Sequence, residues 1–281
     1  MYHILEKNDL AAKVYRYVIE AKDIALKARA GQFVIIKIDE HGERIPITIA
    51  DMNANNGTLT LYVQAVGKTT TQLSLLNAGD TIMDVVGPLG EASHIEKYGT
   101  VVSIGGGFGI AAIHPIVREY KTAGNKTISI IGARSKELLI MEEEMRKISD
   151  DVRIATDDGS YGKKGLVTNV LQDMIDNNET IDLVLAIGPL IMMKAVVEVT
   201  RPHNIKTLVS MNPIMVDGTG MCGACRVSVG NETKFACVDG PEFDGHLINF
   251  DEVLIRSKMY VNEEKKSMDL FMQKHKCNLK Q

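Results

Sequence analysis

At 281 residues and 45% hydrophobic content, the chain is long enough to bury two cores and carry a small appendage. Its formal net charge of -4 argues against a nucleic-acid partner, which usually calls for a basic excess. No run reaches the roughly eighteen apolar residues of a membrane span, and Met1–Lys27 mixes apolar with charged positions, so neither a span nor a signal peptide is expected and the expected compartment is the cytoplasm.

Residues 1–96 read as strands. Val14–Ile19, Gln32–Ile38, Ile45–Ala50, Thr58–Ala65 and Thr81–Val86 are short runs rich in β-branched residues, punctuated by turn formers such as Asp51–Gly57 and Ala78–Asp80. Such strands predict a small antiparallel barrel, with one helix over Thr70–Leu76. The rhythm changes near Tyr98. Across residues 97–212, the strands Thr100–Ile104, Thr127–Gly132, Val152–Thr156 and Leu183–Gly188 alternate with the helices Ile110–Ala123, Lys136–Ile148, Leu166–Asn177 and Leu190–Thr200. Leu208–Asn212 is expected as the last strand. This alternation implies right-handed βαβ units and a doubly wound parallel sheet. Residues 213–281 crowd Gly and Cys into a loop, run through Asp239–Gly245 and end in a charged, helical tail. A segment this short has little core of its own, so a cluster or partner would help to stabilise it.

Gly105-Gly106-Gly107-Phe108-Gly109 follows a predicted strand, and Ile110-Ala111 opens a helix. Free amides at a helix start, with no Cβ in the way, form a pyrophosphate site. The pattern departs from G-x-G-x-x-G, and its context supports it. Gly188-Pro189 ends a later strand and would line the nicotinamide side of the same crevice. Arg134 follows the next strand and has two readings, a contact to the adenosine ribose or a solvated loop arginine. Asp158, within Asp157–Ser160, is either cofactor-facing or part of a polar turn.

Four cysteines are present, and three of them fall between Cys222 and Cys237. Cys277 is expected to be a surface thiol. The stretch from Asp217 through Cys222 and Cys225 to Cys237 keeps the plant-type [2Fe–2S] spacing, Cys-x4-Cys-x2-Cys with a distant fourth ligand, but places Asp217 first. Thiolates suit iron–sulfur clusters or zinc. A zinc site would need another close ligand, for which His246 is the candidate, and Asp217 is also an ordinary turn residue.

Arg44-Ile45-Pro46-Ile47-Thr48 lies on a barrel strand ahead of a nucleotide domain. The combination resembles the ferredoxin–NADP⁺ reductase superfamily, in which an R-x-[PY]-[FILS]-[ST] strand presents a hydroxyl to flavin N5 and an arginine to the pyrophosphate. Thr48 and Arg44 match those places, with Pro46 and Ile47 between them. Val63-Gln64-Ala65-Val66-Gly67-Lys68-Thr69-Thr70 resembles the second FAD segment of that family. The order barrel, nucleotide domain and cysteine cluster covers essentially the whole chain. It resembles the electron-transfer subunit of type B dihydroorotate dehydrogenase and its relatives, among them the small subunit of NADH-dependent reduced ferredoxin:NADP⁺ oxidoreductase, also called sulfide dehydrogenase. Asp217 favours the latter, because the dihydroorotate type carries Cys there.

The resemblance implies an FAD barrel, an NAD(H) domain and a C-terminal [2Fe–2S] segment. The implied activity is exchange of hydride between NAD(H) and FAD and passage of single electrons through the cluster to a larger FAD- and [4Fe–4S]-containing subunit. Through that partner the electrons would reach ferredoxin and NADP(H) in electron bifurcation. Two other readings stay open: service to a dihydroorotate dehydrogenase, and a zinc-containing regulatory module that senses NAD(H).

Overall fold

The computed structural model describes residues 1–278, with side chains as far as Gln273; the side chain of Cys277 lies outside the described residues. The first sheet is built from β1 (Tyr2–Ala11), β2 (Val14–Glu20), β3 (Phe33–Lys37), β4 (Ile45–Asn53), β5 (Thr58–Gln64), β6 (Thr81–Ile82) and β7 (Asp84–Leu89), with short helices α1 (Lys22–Ala25) and α2 (Lys68–Leu73). All pairings are antiparallel, in the order β6-β1-β2-β5-β4-β3-β7, which gives a nearly closed barrel. Its interior is filled by Ile4, Tyr17, Ile19, Val34, Ile36, Ile49, Leu59 and Leu61, which alternate along their strands with outward positions. β1 has no counterpart among the predicted strands. Ile4 is its one buried residue, so no alternation marks it, and its pairing with β2 slips between Ile4 and Glu6 and again between Asp9 and Ala11. The run predicted over Thr81–Val86 divides at Met83, one half pairing β1 and the other β3, and this is how the barrel turns its corner.

The second sheet follows β8 (Thr100–Gly106), α3 (Ile110–Thr122), β9 (Lys126–Ala133), α4 (Glu142–Ile148), β10 (Asp151–Thr156), β11 (Lys163–Lys164), α5 (Val167–Asp176), β12 (Leu183–Ile187), α6 (Leu190–Thr200) and β13 (Thr207–Ser210). Helices cover both faces of a parallel sheet ordered β11-β10-β9-β8-β12-β13. The helix expected over Lys136–Ile148 is shorter. A single 3-10 turn ends at Leu138, Leu139 is extended, Met141 is left-handed at φ +59°, and α4 starts only at Glu142. Ile140 and Met141 are both buried, and turning them into the core is what interrupts the helix.

The remaining elements are β14 (Arg226–Val229), β15 (Glu232–Phe235), β16 (Glu242–Asp244), α7 (Phe250–Arg256) and α8 (Val261–Asn278). β14 and β15 form a separate hairpin. The expectation that β13 ends the parallel sheet is corrected by β16, which pairs with it antiparallel through Leu208–Asp244, Val209–Phe243 and Ser210–Glu242. Cys225, Val227, Cys237, Phe243 and Phe250 bury into the same core as Val102, Ile104 and Val184 of the parallel sheet and Ile35 of the barrel. The cysteine arm therefore borrows its core from both neighbours. Among the described residues, no helix is long and apolar enough to cross a membrane.

Candidate functional site

A cleft of about 620 Å³ opens where the barrel meets the parallel sheet. On the barrel side, Pro46, Thr48 and Ala50 of β4 and Tyr62 and Gln64 of β5 face it. The two-residue period of a strand explains the choice, because it sends the intervening Ile49 and Val63 into the barrel core. Ile47 turns the same way and packs against that core, and Ala65 is buried beyond the strand end.

On the opposite wall, Gly106, Gly107, Gly109 and Ala111 line the cleft at the junction of β8 with α3, together with Gly188, Pro189 and Arg134. Gly105 and Ile110 stand behind this wall; a Cβ on Gly105 would meet Ile110, which is fully buried. A Cβ on Gly109 would fall on the backbone carbonyl of Ile187, closer than real Cβ atoms approach, so only glycine lets the turn close onto the end of β12. Asp158 does not reach the cleft. Its carboxylate accepts from the Ser160 amide at 2.9 Å, closing a turn, and the Ser160 hydroxyl first and then this amide hold its pKa below the usual carboxylate range.

Gly67, Thr69 and Thr70 also lie outside the cleft lining, and their polar atoms are used locally. Thr70 Oγ1 accepts from the amides of Val66 and Gly67 at 3.1 Å, and Thr69 Oγ1 donates to Glu43 Oε2 at 2.6 Å. Several lining residues escaped the sequence reading: Phe33, Tyr62, Phe108, Met211, Asn212 and Met215. Tyr62 was within reach, since it shares a strand face with Gln64. Met211 and Met215 carried no signal, because what brings them to the cleft is the path of the chain after β13.

Arg44 stands just before β4 and is not part of the cleft lining. Its Nε donates to Val216 O at 2.8 Å and its Nη2 to Asp217 O at 3.2 Å, joining β4 to the cysteine loop. Within that loop Asp217 Oδ1 accepts from the Thr219 amide at 2.8 Å and Oδ2 from the Cys222 amide at 2.9 Å. These bonds, that from Thr219 first, hold the Asp217 carboxyl below its ordinary pKa. Cys225 and Cys237 are buried with their Sγ atoms 3.2 Å apart, and the Gly220 amide donates to Cys237 Sγ, also at 3.2 Å. Burial first, and then the neighbouring Cys225, pushes the Cys237 thiol up to about 12. Cys222 is exposed. Among the described residues no three His, Cys, Asp or Glu side chains converge on one point. The loop thus brings together one sulfur pair, with an amide aimed at it, and holds Asp217 and the Cys222 side chain at its solvent side. His246 instead bonds to Thr200 Oγ1 at 3.1 Å, away from the sulfurs. Soft, buried sulfur donors met by a backbone N–H suit an iron–sulfur cluster.

Residues 212–249 match the family described as the iron-sulfur cluster binding domain of dihydroorotate dehydrogenase B. A Thermotoga maritima protein named as a dihydroorotate dehydrogenase B (NAD(+)) electron transfer subunit homolog is 49% identical over 269 residues, covering 96% of this chain and 95% of its own. A Clostridium perfringens electron transfer subunit of the same name is 31% identical, over 88% of this chain and 96% of its own. Among solved structures, a chain from the NADH-dependent reduced ferredoxin-NADP oxidoreductase, studied for flavin-based electron bifurcation, superposes with a TM-score of 0.92 at 47% identity, covering 97% of this chain and 98% of that one. Phthalate dioxygenase reductase, at 16% identity and a TM-score of 0.59 over 81% of this chain and 85% of its own, shares the fold.

Proposed function

The chain belongs to the family of dihydroorotate dehydrogenase B electron-transfer subunits, and on that premise we propose that it exchanges hydride between NAD(H) and FAD and relays single electrons through a [2Fe–2S] cluster to a larger partner subunit in the cytoplasm. The observation that carries this reading is the shared cleft, which sets Thr48 and Gln64 of the barrel opposite Gly106–Gly109 and Gly188-Pro189 of the parallel sheet. The flavin supplies the conversion of a two-electron hydride into the single electrons that a [2Fe–2S] centre carries.

In this reading Thr48 presents its hydroxyl from the floor of the cleft to the flavin ring, and Pro46 and Gln64 flank it. The amides of Gly107 and Gly109 face the dinucleotide pyrophosphate at the start of α3. Gly188 and Pro189 border the nicotinamide, and Arg134 stands at the adenosine end. Gly105, Ile110, Ile47, Val63 and Ala65 shape these walls from behind, while Gly67, Thr69 and Thr70 brace the turn that follows β5. Asp158 orders the loop below Arg134. Cys225 and Cys237 hold the cluster from the buried side, and Asp217 and Cys222 close on it from the solvent side.

For the partner, the similarity to the ferredoxin-NADP oxidoreductase chain favours a larger FAD- and [4Fe–4S]-containing subunit that connects to ferredoxin and NADP(H). The names of the sequence relatives favour a second reading, service to a dihydroorotate dehydrogenase. Anaerobic purification from the native cell separates the two. The first reading expects yellow-brown protein with FAD, roughly two irons per FAD, flavin bleaching on NADH addition, and co-purification of the larger flavoprotein. Co-purification of a dihydroorotate-oxidising subunit would establish the second reading, and colourless protein with one zinc would overturn both.

A further inference from the structure

We propose that Asp51 and Arg118 are positioning residues for hydride transfer: their ion pair locks β4 to α3 beside the cleft and so sets how closely the flavin wall meets the nicotinamide wall. This deepens the function proposed above and rests on it. Arg118 Nη2 donates to Asp51 Oδ1 at 2.9 Å. Among the described residues it is the one side-chain hydrogen bond between α3 and a strand of the barrel.

Both elements lead from the cleft directly to this pair. On α3, Ala111 lines the cleft, and Arg118 follows two turns later on the same helix face. On β4, Thr48 and Ala50 line the cleft, and strict alternation would send Asp51 into the barrel with Ile49. A β-bulge prevents this. Ile49 pairs with Leu61, whereas Asp51 pairs with Thr60, the immediate neighbour of Leu61 on β5. Leu61 is buried in the barrel core and Thr60 is not. The extra residue therefore aims the Asp51 carboxylate outward, towards α3, which is the kind of re-aiming that bulges provide.

The rest of the seam is apolar. Ala50 and Tyr62 of the barrel share a buried core with Ile110, Ala111 and Val117 of α3. Such packing holds two domains together but is non-directional, and open space lies on both sides of the seam. The cleft borders Ala50 and Ala112, while a second groove of about 790 Å³ borders Met52 and Glu119. The two walls can therefore rock about the seam, and the directional bond from Arg118 to Asp51 fixes their angle. His114 stands one turn before Arg118, its Nδ1 buried without a partner among the described residues. Burial first, and then Arg118, hold its pKa below the ordinary value, so the neutral ring leaves Asp51 to the guanidinium. The side chains of Arg118 and Asp51 are 35% and 44% exposed, so their pair adds little to global stability and its loss should show in geometry instead.

The experiment compares anaerobic, FAD-loaded wild type with D51N, R118Q and the charge exchange that combines D51R with R118D. Stopped-flow mixing with NADH gives the limiting rate of flavin bleaching, the half-saturation and the long-wavelength absorption of stacked nicotinamide and flavin. Hydrogen exchange at the C-terminal ends of β4 and α3 is measured before NADH is added. Each single variant should keep FAD and the wild-type melting temperature, lose about fivefold in limiting rate and show a weaker stacking band. The half-saturation should not change, because the pair touches neither the glycine turn nor Arg134. Hydrogen exchange should quicken at both ends, and the charge exchange should restore rate, band and protection. Single variants equal to wild type in rate and band would overturn the proposal, as would a raised half-saturation at an unchanged rate. Should a single variant lose FAD, the charge exchange decides alone: recovery of FAD, rate and band supports the pair, and continued loss overturns it. Wild type that holds FAD but is not bleached by NADH would overturn the underlying function instead, a result that needs no variant.

Discussion

The nucleotide turn and the cysteine loop are both rich in glycine, yet they need it for different reasons. At Gly109 the missing Cβ lets one backbone close on another, α3 settling against the carbonyl of Ile187 at the end of β12. That fit lies within one sheet and requires no ligand. At Gly218 the backbone is left-handed, at φ +81°, and the loop it belongs to is held by hydrogen bonds from Arg44 and to Asp217. Only two of its four candidate ligands, Cys225 and Cys237, lie side by side. The turn at the cleft is thus closed by packing alone, whereas the loop, which also lies against Ile35 and Leu89, is held in addition by polar contacts that a cluster would share.

The largest expected effect breaks the packed region. Gly109→Ala drives a methyl into the Ile187 carbonyl, and neither backbone can yield without moving β12 or α3. A loss of about 3 kcal/mol is expected, the upper end of overpacking costs, along with loss of flavin bleaching by NADH. A denaturation midpoint and bleaching rate equal to wild type would show that the turn is not closed by packing.

Next comes the polar region. Cys237→Ala removes the sulfur that accepts the Gly220 amide and touches Cys225. The iron content should drop from roughly two per FAD to background, while FAD and NADH-dependent bleaching persist, because the cleft lining includes no residue between Cys222 and Cys237. Joint loss of FAD and iron would mean that the two regions fold as one unit, and the contrast drawn above would fall.

The same contrast explains what could be read from the sequence. The βαβ alternation and the glycine turn announce themselves because buried parallel strands are continuous apolar runs, and because a strand–glycine–helix junction is local in the chain. On β4 and β5 the alternation was equally available, and it would have placed Tyr62 in the cleft and taken Ile47 and Val63 out of it. The path of Arg44 was not legible. Its partners, Val216 and Asp217, lie more than 170 positions away, and local pattern does not report such contacts. β16 was hidden for a related reason. Three residues, Glu242–Asp244, are too few to show a period, and they become a strand only because β13 presents a free edge.

The smallest expected effect tests the joint between the two regions. Glu242 on β16 accepts a 2.5 Å hydrogen bond from Ser93 Oγ, in the segment that leaves the barrel, so one side chain links the cysteine arm to the barrel exit. Tyr98 and Tyr120 are the other titratable groups that sense its charge. Burial raises the pKa of the Glu242 carboxyl, and the Ser93 hydroxyl offsets only part of the rise. The native state therefore holds this proton more tightly than the unfolded chain does. Its contribution to stability is complete below the unfolded carboxylate pKa, near 4.3, and is lost as pH climbs through the raised native value. Glu242→Gln keeps the shape and cannot ionise, so its melting temperature should fall less than that of wild type across that window, with the two converging at the acid end. Parallel melting curves at every pH would mean that Glu242 is solvated, and that the arm and barrel are joined by apolar packing, by Arg44 and by backbone contacts such as the Glu91 amide to the Gly240 carbonyl.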